Sequence, residues 1–169
     1  AIKRGYTAAL EQGADIIYRL DGDGQHKPRD LLKFQNKLQD PNCAYVIGNR
    51  FGDSSYRRQM PALRTIGNRV VSAVTSLRIK QTIHDPTCGY RGMDASYLER
   101  IPYHQYSADY RFGVEELFTY DYLNASIEEV TVRCIYDEEE STLTYYDGLK
   151  YLYPSIVWWN STKDFESLQ

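Results

Sequence analysis

Apolar residues recur along the chain with two different periods, one typical of helices and one typical of strands. The helical stretches have an apolar side, and the extended runs between them are short and rich in β-branched residues. Because the two kinds of segment alternate, the sequence predicts an α/β domain. The predicted helices cover residues 1–10, 28–38, 61–77, 112–123 and 147–159, and the predicted strands cover residues 15–20, 44–48 and 127–135.

Two of these elements have a clear apolar side. In the strand at 127–135, residues 130–134 alternate between apolar and polar side chains, which predicts one buried side. Residues 82–92 have no clean periodicity, and no element is predicted there. In the helix that opens at Pro61, apolar residues form one stripe at helical spacing, the pattern of a helix with one packed side. The stripe consists of Leu63, Ile66, Val70, Val74 and Leu77.

The composition is that of an ordinary globular domain. The chain has 169 residues, of which 42% are apolar and 25% are charged, values that argue against intrinsic disorder. This length suits a single domain with a real hydrophobic core. With 20 basic and 23 acidic residues the net charge is −3, which argues against a dedicated nucleic-acid binder.

The cysteines and the uncharged segments indicate the compartment. Cys43, Cys88 and Cys134 lie far apart and form no CxxC pair, so neither a disulfide framework nor a zinc site is predicted. The longest uncharged run near the C-terminus, residues 151–162, is too short for a membrane-spanning helix. The cysteines favour a protein of the reducing cytoplasm, and a position at the cytoplasmic face of a membrane is the alternative.

A pair of carboxylates follows the first predicted strand. Asp21 and Asp23 are two residues apart, and in an extended backbone this spacing places both side chains on the same side. At the carboxyl end of a strand in an open α/β sheet, they would project into the crevice where ligands bind. Together with the amide oxygen of Gln25 they form a hard oxygen site suited to Mg²⁺ or Mn²⁺.

Other interpretations of this Asp-x-Asp pair exist. The pair can simply cap a turn. A calcium-binding loop does not fit, because His26 and Leu32 stand where the glycine and the bidentate glutamate are required. A phosphohydrolase of the haloacid dehalogenase type also has an Asp-x-Asp after its first strand, with Asp21 then serving as the nucleophile. Gln25 and the lack of a later paired-aspartate motif disfavour that class.

Further motifs follow the Asp-x-Asp segment, which occupies residues 14–28. They are VIGNRF at 46–51, RTIGNR at 64–69, HDPTCGYRG at 84–92 and EVTVR at 129–133. In this order the motifs resemble those of the family 2 glycosyltransferases. Within that family, the chain is most similar to the branch of polyprenyl-phosphate (dolichol-phosphate) mannosyl- and glucosyltransferases.

The resemblance implies an A-type glycosyltransferase fold, which is a Rossmann-like nucleotide-diphospho-sugar transferase domain, and an inverting transfer of the sugar. In the family a nucleotide-binding β-α-β segment precedes the Asp-x-Asp strand, and such a unit takes roughly 30 residues or more. Here only residues 1–14 come before that strand. We therefore expect one catalytic domain over residues 1–169 that lacks its first β-α-β segment.

The resemblance also assigns roles to individual residues. Asp21, Asp23 and Gln25 match the residues that hold a divalent cation, Mg²⁺ or Mn²⁺, on the diphosphate of the sugar nucleotide. A metal at this position stabilises the negative charge that develops on the departing nucleoside diphosphate. The resemblance thus implies that the predicted oxygen site binds the cation of the donor diphosphate.

Three arginines match positions that serve ligand binding in the family. Arg50 and Arg64 correspond to residues that contact phosphate of the donor or of the lipid-phosphate acceptor. A guanidinium suits that role because it can form bidentate hydrogen bonds to phosphate. Arg91 stands at the matching position of the acceptor-side motif and completes the predicted ligand-binding set.

Two carboxylates are candidates for a general base. If the acceptor is a hydroxyl group, Asp85 or Glu115 could remove its proton in an inverting displacement. A polyprenyl phosphate is already ionised and needs no base, and Asp85 would then orient Arg91 or the sugar. His26 and His84 are expected to be structural or solvent-facing.

The expected partners are a nucleotide-diphospho-sugar donor and a polyprenyl-phosphate or glycan acceptor. The acidic run at 137–140 departs from the basic stretch usual in the family and weakens the case for a lipid-phosphate acceptor. The aromatic segment around Trp158 and Trp159 is expected to pack on the domain, and contact with the cytoplasmic face of a membrane is the alternative. A non-catalytic module that binds sugar nucleotides or glycans is the remaining rival to an enzyme.

Overall fold

The computed structural model describes residues 1–54, 62–109 and 111–135, apart from the side chains at 63 and 64. The acidic run at 137–140 and the aromatic segment at 147–159 lie outside the described residues. The helices are α1 (Ile2–Glu11), α2 (Leu31–Leu38), α3 (Ala62–Ile79), α4 (Ala95–Leu98) and α5 (Phe112–Tyr122), and the strands are β1 (Ile16–Arg19), β2 (Cys43–Asn49), β3 (Arg91–Asp94) and β4 (Ser126–Thr131).

The four strands form one mixed sheet in the order β1-β3-β2-β4. Strand β3 runs antiparallel to both β1 and β2, while β2 and β4 are parallel. Strands β1, β2 and β4 therefore run in the same direction, and their carboxyl ends meet at one edge of the sheet. The α/β class predicted from the alternating periods is confirmed.

Local sequence explains where the elements begin and end. Helix α1 is followed by Gly13, whose φ of +73° lies in the left-handed region that glycine adopts at low cost. Pro28 opens a 3₁₀ turn, Pro28–Asp30, that leads into α2. Asp94 caps α4 by accepting a hydrogen bond from the backbone N–H of Ser96. These helices agree with the sequence prediction except for α4, which is a single turn.

The core lies on both sides of β2, which is buried along its whole length. Phe34 of α2 is fully buried and stacks on Tyr90, with the ring centroids 4.3 Å apart. Helix α5 is buried over nine consecutive residues from Phe112 to Tyr120. Residues 130–134 alternate as predicted, with Val130, Val132 and Cys134 buried.

The apolar stripe predicted for α3 lies largely on the surface, as far as its side chains are described. Ile66, Val70 and Leu77 are exposed by 59%, 46% and 80%, and Val74 is partly buried. The buried side of α3 is instead formed by Asn68, Val71, Thr75 and Ile79, which recur at the same helical spacing on the opposite side. The periodicity of apolar residues predicted the helix correctly. It could not show whether the apolar side of that helix packs on the core or faces solvent.

Strand β3 had no sequence signal. Its four residues, Arg91–Asp94, include a glycine and two charged side chains, which are poor strand formers. The strand is held between β1 and β2, and an added Cβ at Gly92 would come within 2.9 Å of Leu38. Tertiary packing therefore determines the position of β3.

None of the helices described is both long and apolar enough to cross a membrane.

Candidate active site

The Asp-x-Asp pair lies on an exposed turn directly after β1. Residues 21–24 are all exposed, and Gly24 has a φ of +73°. Asp23 stabilises the turn, because its Oδ1 accepts a hydrogen bond of 3.0 Å from the backbone N–H of Gln25. The extended backbone assumed from the spacing of Asp21 and Asp23 is therefore wrong, since β1 ends at Arg19 and the chain turns at once.

Asp21 lies directly against the segment that had no predicted element. A Cβ added at Gly89 would be 1.8 Å from Oδ2 of Asp21 and 2.3 Å from its Cγ. Only a glycine allows the carboxylate to lie this close to the backbone. The first Asp-x-Asp residue and the HDPTCGYRG motif thus lie against each other, although Asp21 and Gly89 are 68 positions apart in the sequence.

Arg50 and Asp85 form a buried ion pair at the end of β2. The guanidinium of Arg50 donates from Nε to Oδ2 of Asp85 at 2.6 Å and from Nη2 to Oδ1 at 2.8 Å. The backbone N–H of Arg50 also donates to Oδ2, at 3.1 Å. The Asp85 side chain is fully buried and that of Arg50 is 10% exposed. This bidentate geometry fixes the plane of the guanidinium.

Thr87 and Asn68 extend this pair to α3. Nη2 of Arg50 also donates to Oγ1 of Thr87 at 2.8 Å, and Thr87 donates to Oδ1 of Asn68 at 2.6 Å. Asn68 in turn donates to the carbonyl oxygen of His84 at 3.2 Å. The chain of hydrogen bonds therefore connects the end of β2, the loop before β3 and the buried side of α3.

Glu129 of β4 holds the start of the same loop. Its Oε1 accepts from the backbone N–H groups of His84 and Asp85, at 2.9 and 3.2 Å. Its Oε2 lies 2.5 Å from Nδ1 of His84, whose side chain is 60% exposed. His84 is thus solvent-facing, as the sequence predicted, and Glu129 is a structural residue that the prediction did not single out.

Arg91 occupies a different position from the one expected of a ligand-binding residue. Its guanidinium is 1% exposed and donates to the carbonyl oxygens of Cys88, Pro86 and Gly113, at 2.9, 2.7 and 2.6 Å. It pairs with Glu116 at 3.1 Å, and Asp85 pairs with Arg50 instead. Because Arg91 is buried, its hydrogen bonds to Pro86 and Cys88 stabilise the loop before β3 from the protein interior. We therefore leave Arg91 out of the proposed ligand contacts.

Glu115 is also anchored within the protein. Its Oε2 accepts from the backbone N–H of Ser107 at 2.7 Å, and its Oε1 accepts from the Ser107 hydroxyl at 2.6 Å. The residue is only 6% exposed. These contacts give Glu115 the task of holding the loop before α5, and they do not favour the general-base role considered from the sequence.

Glu116, the next residue, is the centre of a buried polar network that the sequence did not reveal. It accepts hydrogen bonds from the hydroxyls of Tyr6 and Tyr45, at 2.7 and 2.5 Å, and pairs with Arg19 and Arg91 at 3.3 and 3.1 Å. Burial alone would raise the pKa of Glu116, but the two guanidinium groups and the two tyrosine hydroxyls hold that pKa below its usual value. Glu116 is therefore a buried carboxylate.

Gln25 and His26 lie beside the residues that follow β4. Oε1 of Gln25 is 3.4 Å from the thiol of Cys134, and the carbonyl oxygen of Gln25 accepts from the backbone N–H of Ile135 at 2.9 Å. His26 is buried and packs against Tyr90 and Cys88. Burial, and next the charge of Arg50, lower the pKa of His26. Its ring is structural, as predicted.

The three cysteines are buried and free, in agreement with the prediction of no disulfide framework. Burial raises the pKa of Cys88 to about 12 and that of Cys43 to about 11. Both thiols are therefore protonated and unreactive at neutral pH.

The Asp-x-Asp turn has the chemistry of a magnesium or manganese site. Its side chains offer carboxylate oxygens from Asp21 and Asp23 and an amide oxygen from Gln25, which are hard ligands. Within the described ranges, no group of three or more His, Cys, Asp or Glu side chains is placed to hold a metal ion. Arg64, the other predicted phosphate contact, lies in α3, but its side chain is outside the described part of the chain.

The sequence matches a known family over most of these motifs. The model of the family described as glycosyl transferase family 2 matches residues 1–102. The chain is 30% identical over 134 residues to UDP-N-acetylglucosamine–dolichyl-phosphate N-acetylglucosaminyltransferase of Methanococcus voltae, a match that covers 79% of this chain and 53% of the relative.

Two bacterial relatives also match most of this chain over about half of their own length. Polyprenol monophosphomannose synthase of Mycolicibacterium smegmatis is 26% identical over 137 residues, which is 80% of this chain and 51% of the relative. Undecaprenyl-phosphate mannosyltransferase of Micrococcus luteus is 27% identical over 129 residues, which is 76% of this chain and 52% of the relative. The chain spans about half the length of these curated relatives.

Proposed function

This chain belongs to glycosyl transferase family 2, in the part of the family that resembles polyprenyl-phosphate glycosyltransferases, and on this premise we propose that it transfers a sugar from a nucleoside-diphosphate donor to a polyprenyl-phosphate acceptor. The family and its branch are those that the sequence motifs predicted. The mixed α/β sheet agrees with the A-type fold that the resemblance implied.

One observation carries the proposal. The carboxylate of Asp21 lies against the backbone of Gly89, and Gly89 belongs to the same loop as Asp85, which holds Arg50. A carboxylate turn suited to a cation and a positioned guanidinium are thus joined through one short loop. This combination suits a reaction between two phosphate-bearing substrates, since each phosphate needs positive charge beside it.

On the donor side, Asp21 and Asp23 with Gln25 would hold Mg²⁺ or Mn²⁺ against the diphosphate. When bound, the cation neutralises charge on the leaving nucleoside diphosphate. The residues of the chain contribute orientation: Asp23 fixes the turn through its hydrogen bond to the Gln25 N–H, and Gly89 leaves room for the Asp21 carboxylate. The exposure of residues 21–24 gives a diphosphate access to the turn.

On the acceptor side, Arg50 is proposed to bind the lipid phosphate, and Asp85 to position Arg50. In an inverting transfer, an acceptor oxygen forms a bond to the anomeric carbon of the sugar as the bond from that carbon to the donor phosphate breaks. An ionised phosphate oxygen has no proton to lose. The buried, bidentate contact of Asp85 with Arg50 supports a positioning role for Asp85 rather than that of a general base.

A thermal-shift titration of the full-length protein with UDP-, GDP- and dTDP-sugars, each with and without Mn²⁺, tests donor binding. We expect at least one sugar nucleotide to raise the melting temperature only in the presence of Mn²⁺, and Asp23→Asn to abolish that shift. Asp40→Asn is a matched control, because Asp40 is an exposed aspartate whose Oδ1 accepts from the backbone N–H two residues later, as that of Asp23 does.

The outcomes separate the proposal from its rivals. An unchanged metal-dependent shift in Asp23→Asn would show that the Asp-x-Asp turn is not the metal site. Binding of the donor without sugar transfer to a polyprenyl phosphate in the full-length protein would indicate a binding module. A covalent fluoroberyllate or vanadate adduct at Asp21 would instead support a phosphohydrolase.

A further inference from the structure

Residues 85–89 connect the two halves of the proposed site, and we call them the linking loop. On one side of the loop, the carboxylate of Asp85 holds the guanidinium of Arg50. On the other side, Gly89 lies against the carboxylate of Asp21. The contacts to both residues therefore depend on the position of one short stretch of backbone.

Arg91, the first residue of β3, holds the linking loop from the protein interior. Its Nη2 donates to the carbonyl oxygen of Pro86 at 2.7 Å, and its Nε donates to that of Cys88 at 2.9 Å. Pro86 and Cys88 are buried, and the backbone N–H of Cys88 donates to the carbonyl oxygen of Asp85 at 3.2 Å. One planar guanidinium thus fixes two carbonyl groups of a tight turn, a geometry that the point charge of an ammonium group does not match.

The guanidinium of Arg91 is itself held on its other sides. It pairs with Glu116 at 3.1 Å, and its Nη1 also donates to the hydroxyl of Tyr45 and to the carbonyl oxygen of Gly113, both at 2.6 Å. Gly113 allows this close approach, because a Cβ at that position would come within 2.6 Å of Nη2. Arg91 is therefore a rigid support behind the linking loop.

We infer that Arg91 is a positioning residue for both substrates of the proposed transfer, an inference that rests on the proposed function. By fixing the linking loop, it keeps Gly89 against the carboxylate of Asp21. It also keeps Asp85 where that residue orients Arg50. The Arg91 side chain is 1% exposed, so it acts through the loop and not by touching a ligand. A displacement of about 1 Å in the groups that position a substrate can lower a rate about 100-fold, so the effect of such a support is measurable.

The variant Arg91→Lys tests this role in the full-length protein. A lysine keeps the positive charge beside Glu116 but loses the planar fork that binds two carbonyl groups. We expect the Mn²⁺ concentration for half-maximal donor binding and the KM for polyprenyl phosphate each to rise about tenfold or more. Thermal-shift titration with the donor measures the first quantity, and steady-state kinetics with varied acceptor measures the second.

Arg19→Lys is the matched control for a purely structural effect. Arg19 is also largely buried and pairs with Glu116, at 3.3 Å, but its described hydrogen bonds go to Tyr6 and Glu116 and not to the linking loop. Both variants should lower the melting temperature of the protein without ligands. Only Arg91→Lys should change the Mn²⁺ response and the KM for the acceptor. Equal changes in both variants would overturn the inference, because the arginines would then serve only the stability of the fold.

Gly113→Ala displaces the same guanidinium without removing a charge. The added Cβ would lie 2.6 Å from Nη2 of Arg91, so the guanidinium must shift, while alanine itself is favoured over glycine in a helix such as α5. We expect the same two changes as in Arg91→Lys, and this variant decides the question if the lysine variant does not fold. Gly67→Ala is its control, since a Cβ at Gly67 meets no heavy atom within 4 Å.

Double-mutant cycles identify the route of each effect. In the Asp85→Asn background, Arg91→Lys should raise the KM for the acceptor by no more than about threefold, because both variants act on the same contact. In the Gly89→Ala background, it should likewise raise the Mn²⁺ requirement by no more than about threefold. Fully additive effects would overturn the inference, since Arg91 would then act by another route.

The remaining outcomes separate this inference from the proposed function. If the parent protein binds donor with Mn²⁺ and transfers the sugar, and Arg91→Lys and Gly113→Ala keep the parent values, the inference alone is overturned. If the full-length parent protein shows no metal-dependent donor binding and no transfer, the proposed function is overturned, and the positioning role with it.

Discussion

Arg50 and Asp85 are joined by two hydrogen bonds between their side chains, of 2.6 and 2.8 Å, in a part of the protein where the Asp85 carboxylate has no exposure to solvent. A buried carboxylate in a bidentate contact holds its guanidinium in one orientation. The pair therefore fixes the plane of the Arg50 guanidinium at the end of β2. Thr87 and Asn68 fix the pair further through α3.

The first prediction concerns this pair. We expect Asp85→Asn to raise the KM for polyprenyl phosphate about tenfold or more, because Arg50 loses a charge-assisted contact and its fixed orientation. The kcat should fall less than the KM rises. Arg50→Lys should act in the same way, and the double variant should be no worse than the poorer single variant. Steady-state kinetics of the full-length protein with varied acceptor measures all three.

The control for this prediction is Asp109→Asn. Asp109 pairs with Arg111 at 2.9 Å, but both side chains are about one-third exposed, so its removal should leave the kinetics unchanged. One other kinetic result for Asp85→Asn would support a general-base role for Asp85. If Asp85→Asn lowered kcat by several orders of magnitude at unchanged KM and removed the acidic limb of the pH profile, Asp85 would be taking a proton in the transition state.

The second prediction concerns Gly89. A Cβ at this position would be 1.8 Å from the Asp21 carboxylate, so Gly89→Ala must displace the side chain of Asp21. We expect the Mn²⁺ concentration for half-maximal donor binding to rise by about 10- to 100-fold, as when the orientation of a metal ligand is lost. The melting temperature without metal should change little, because Asp21 is exposed and can swing away from the loop.

Gly67→Ala is the matched glycine control. An added Cβ at Gly67 meets no heavy atom within 4 Å, and alanine is the better helix former by about 1 kcal/mol. This variant should therefore keep the Mn²⁺ response and become slightly more stable. If Gly89→Ala bound donor and Mn²⁺ as the parent protein does, the closeness of Asp21 to this loop would have no part in metal binding.

Local patterns were sufficient for the elements and insufficient for the contacts between them. Helices α1, α2, α3 and α5 and strands β1, β2 and β4 were predicted because periodicity, proline and glycine act over a few neighbouring residues. Strand β3 was missed because its place depends on β1 and β2 on either side. The apolar row predicted for α3 was misassigned for a related reason: such a row shows that a helix has two different sides, but not which side packs on the core.

In the candidate site, too, the sequence predicted individual residues but not the contacts between them. The Asp-x-Asp turn and Arg50 were found from their residue types, position and family motif, but the partners of the arginines were not. Asp85 was expected to act as a general base or, with an ionised acceptor, to orient Arg91 or the sugar. It binds Arg50, while Arg91 binds Glu116. Glu116 had no signal, because a glutamate in a helix is usually a surface residue. Its burial follows from where α5 packs, with Arg19 and Arg91 close enough to compensate its charge.

The third prediction concerns Glu116. Glu116→Gln leaves the buried Arg91 and the largely buried Arg19 without their counter-charge, so we expect the free energy of unfolding to fall by about 3–5 kcal/mol. Urea denaturation followed by circular dichroism measures the loss. Glu128→Gln is the control, because the Glu128 pair with Lys37 is over 40% exposed on both sides and should be worth no more than about 1 kcal/mol. Equal losses in the two variants would mean that the buried network does not stabilise the fold.

The fourth prediction concerns the pH dependence of stability through His26. Burial and the charge of Arg50 lower the pKa of this ring in the folded protein, whereas in the unfolded chain it is about 6.5. As the pH falls below about 6.5, the unfolded chain takes up a proton that the folded protein does not. His26 therefore makes its full contribution to stability above pH 6.5 and loses it progressively as the pH falls toward the lowered value.

The slope of this loss can reach about 1.4 kcal/mol per pH unit for one proton. Urea unfolding of the parent protein and of His26→Gln between pH 7.5 and 5.0 isolates the contribution, since the carboxylates titrate in both. We expect the advantage of the parent protein to shrink steadily below pH 6.5. His104→Gln removes an exposed histidine and should leave the parent slope unchanged. If His26→Gln kept the parent slope as well, the buried ring would not take part in acid destabilisation, and other groups would have to account for it.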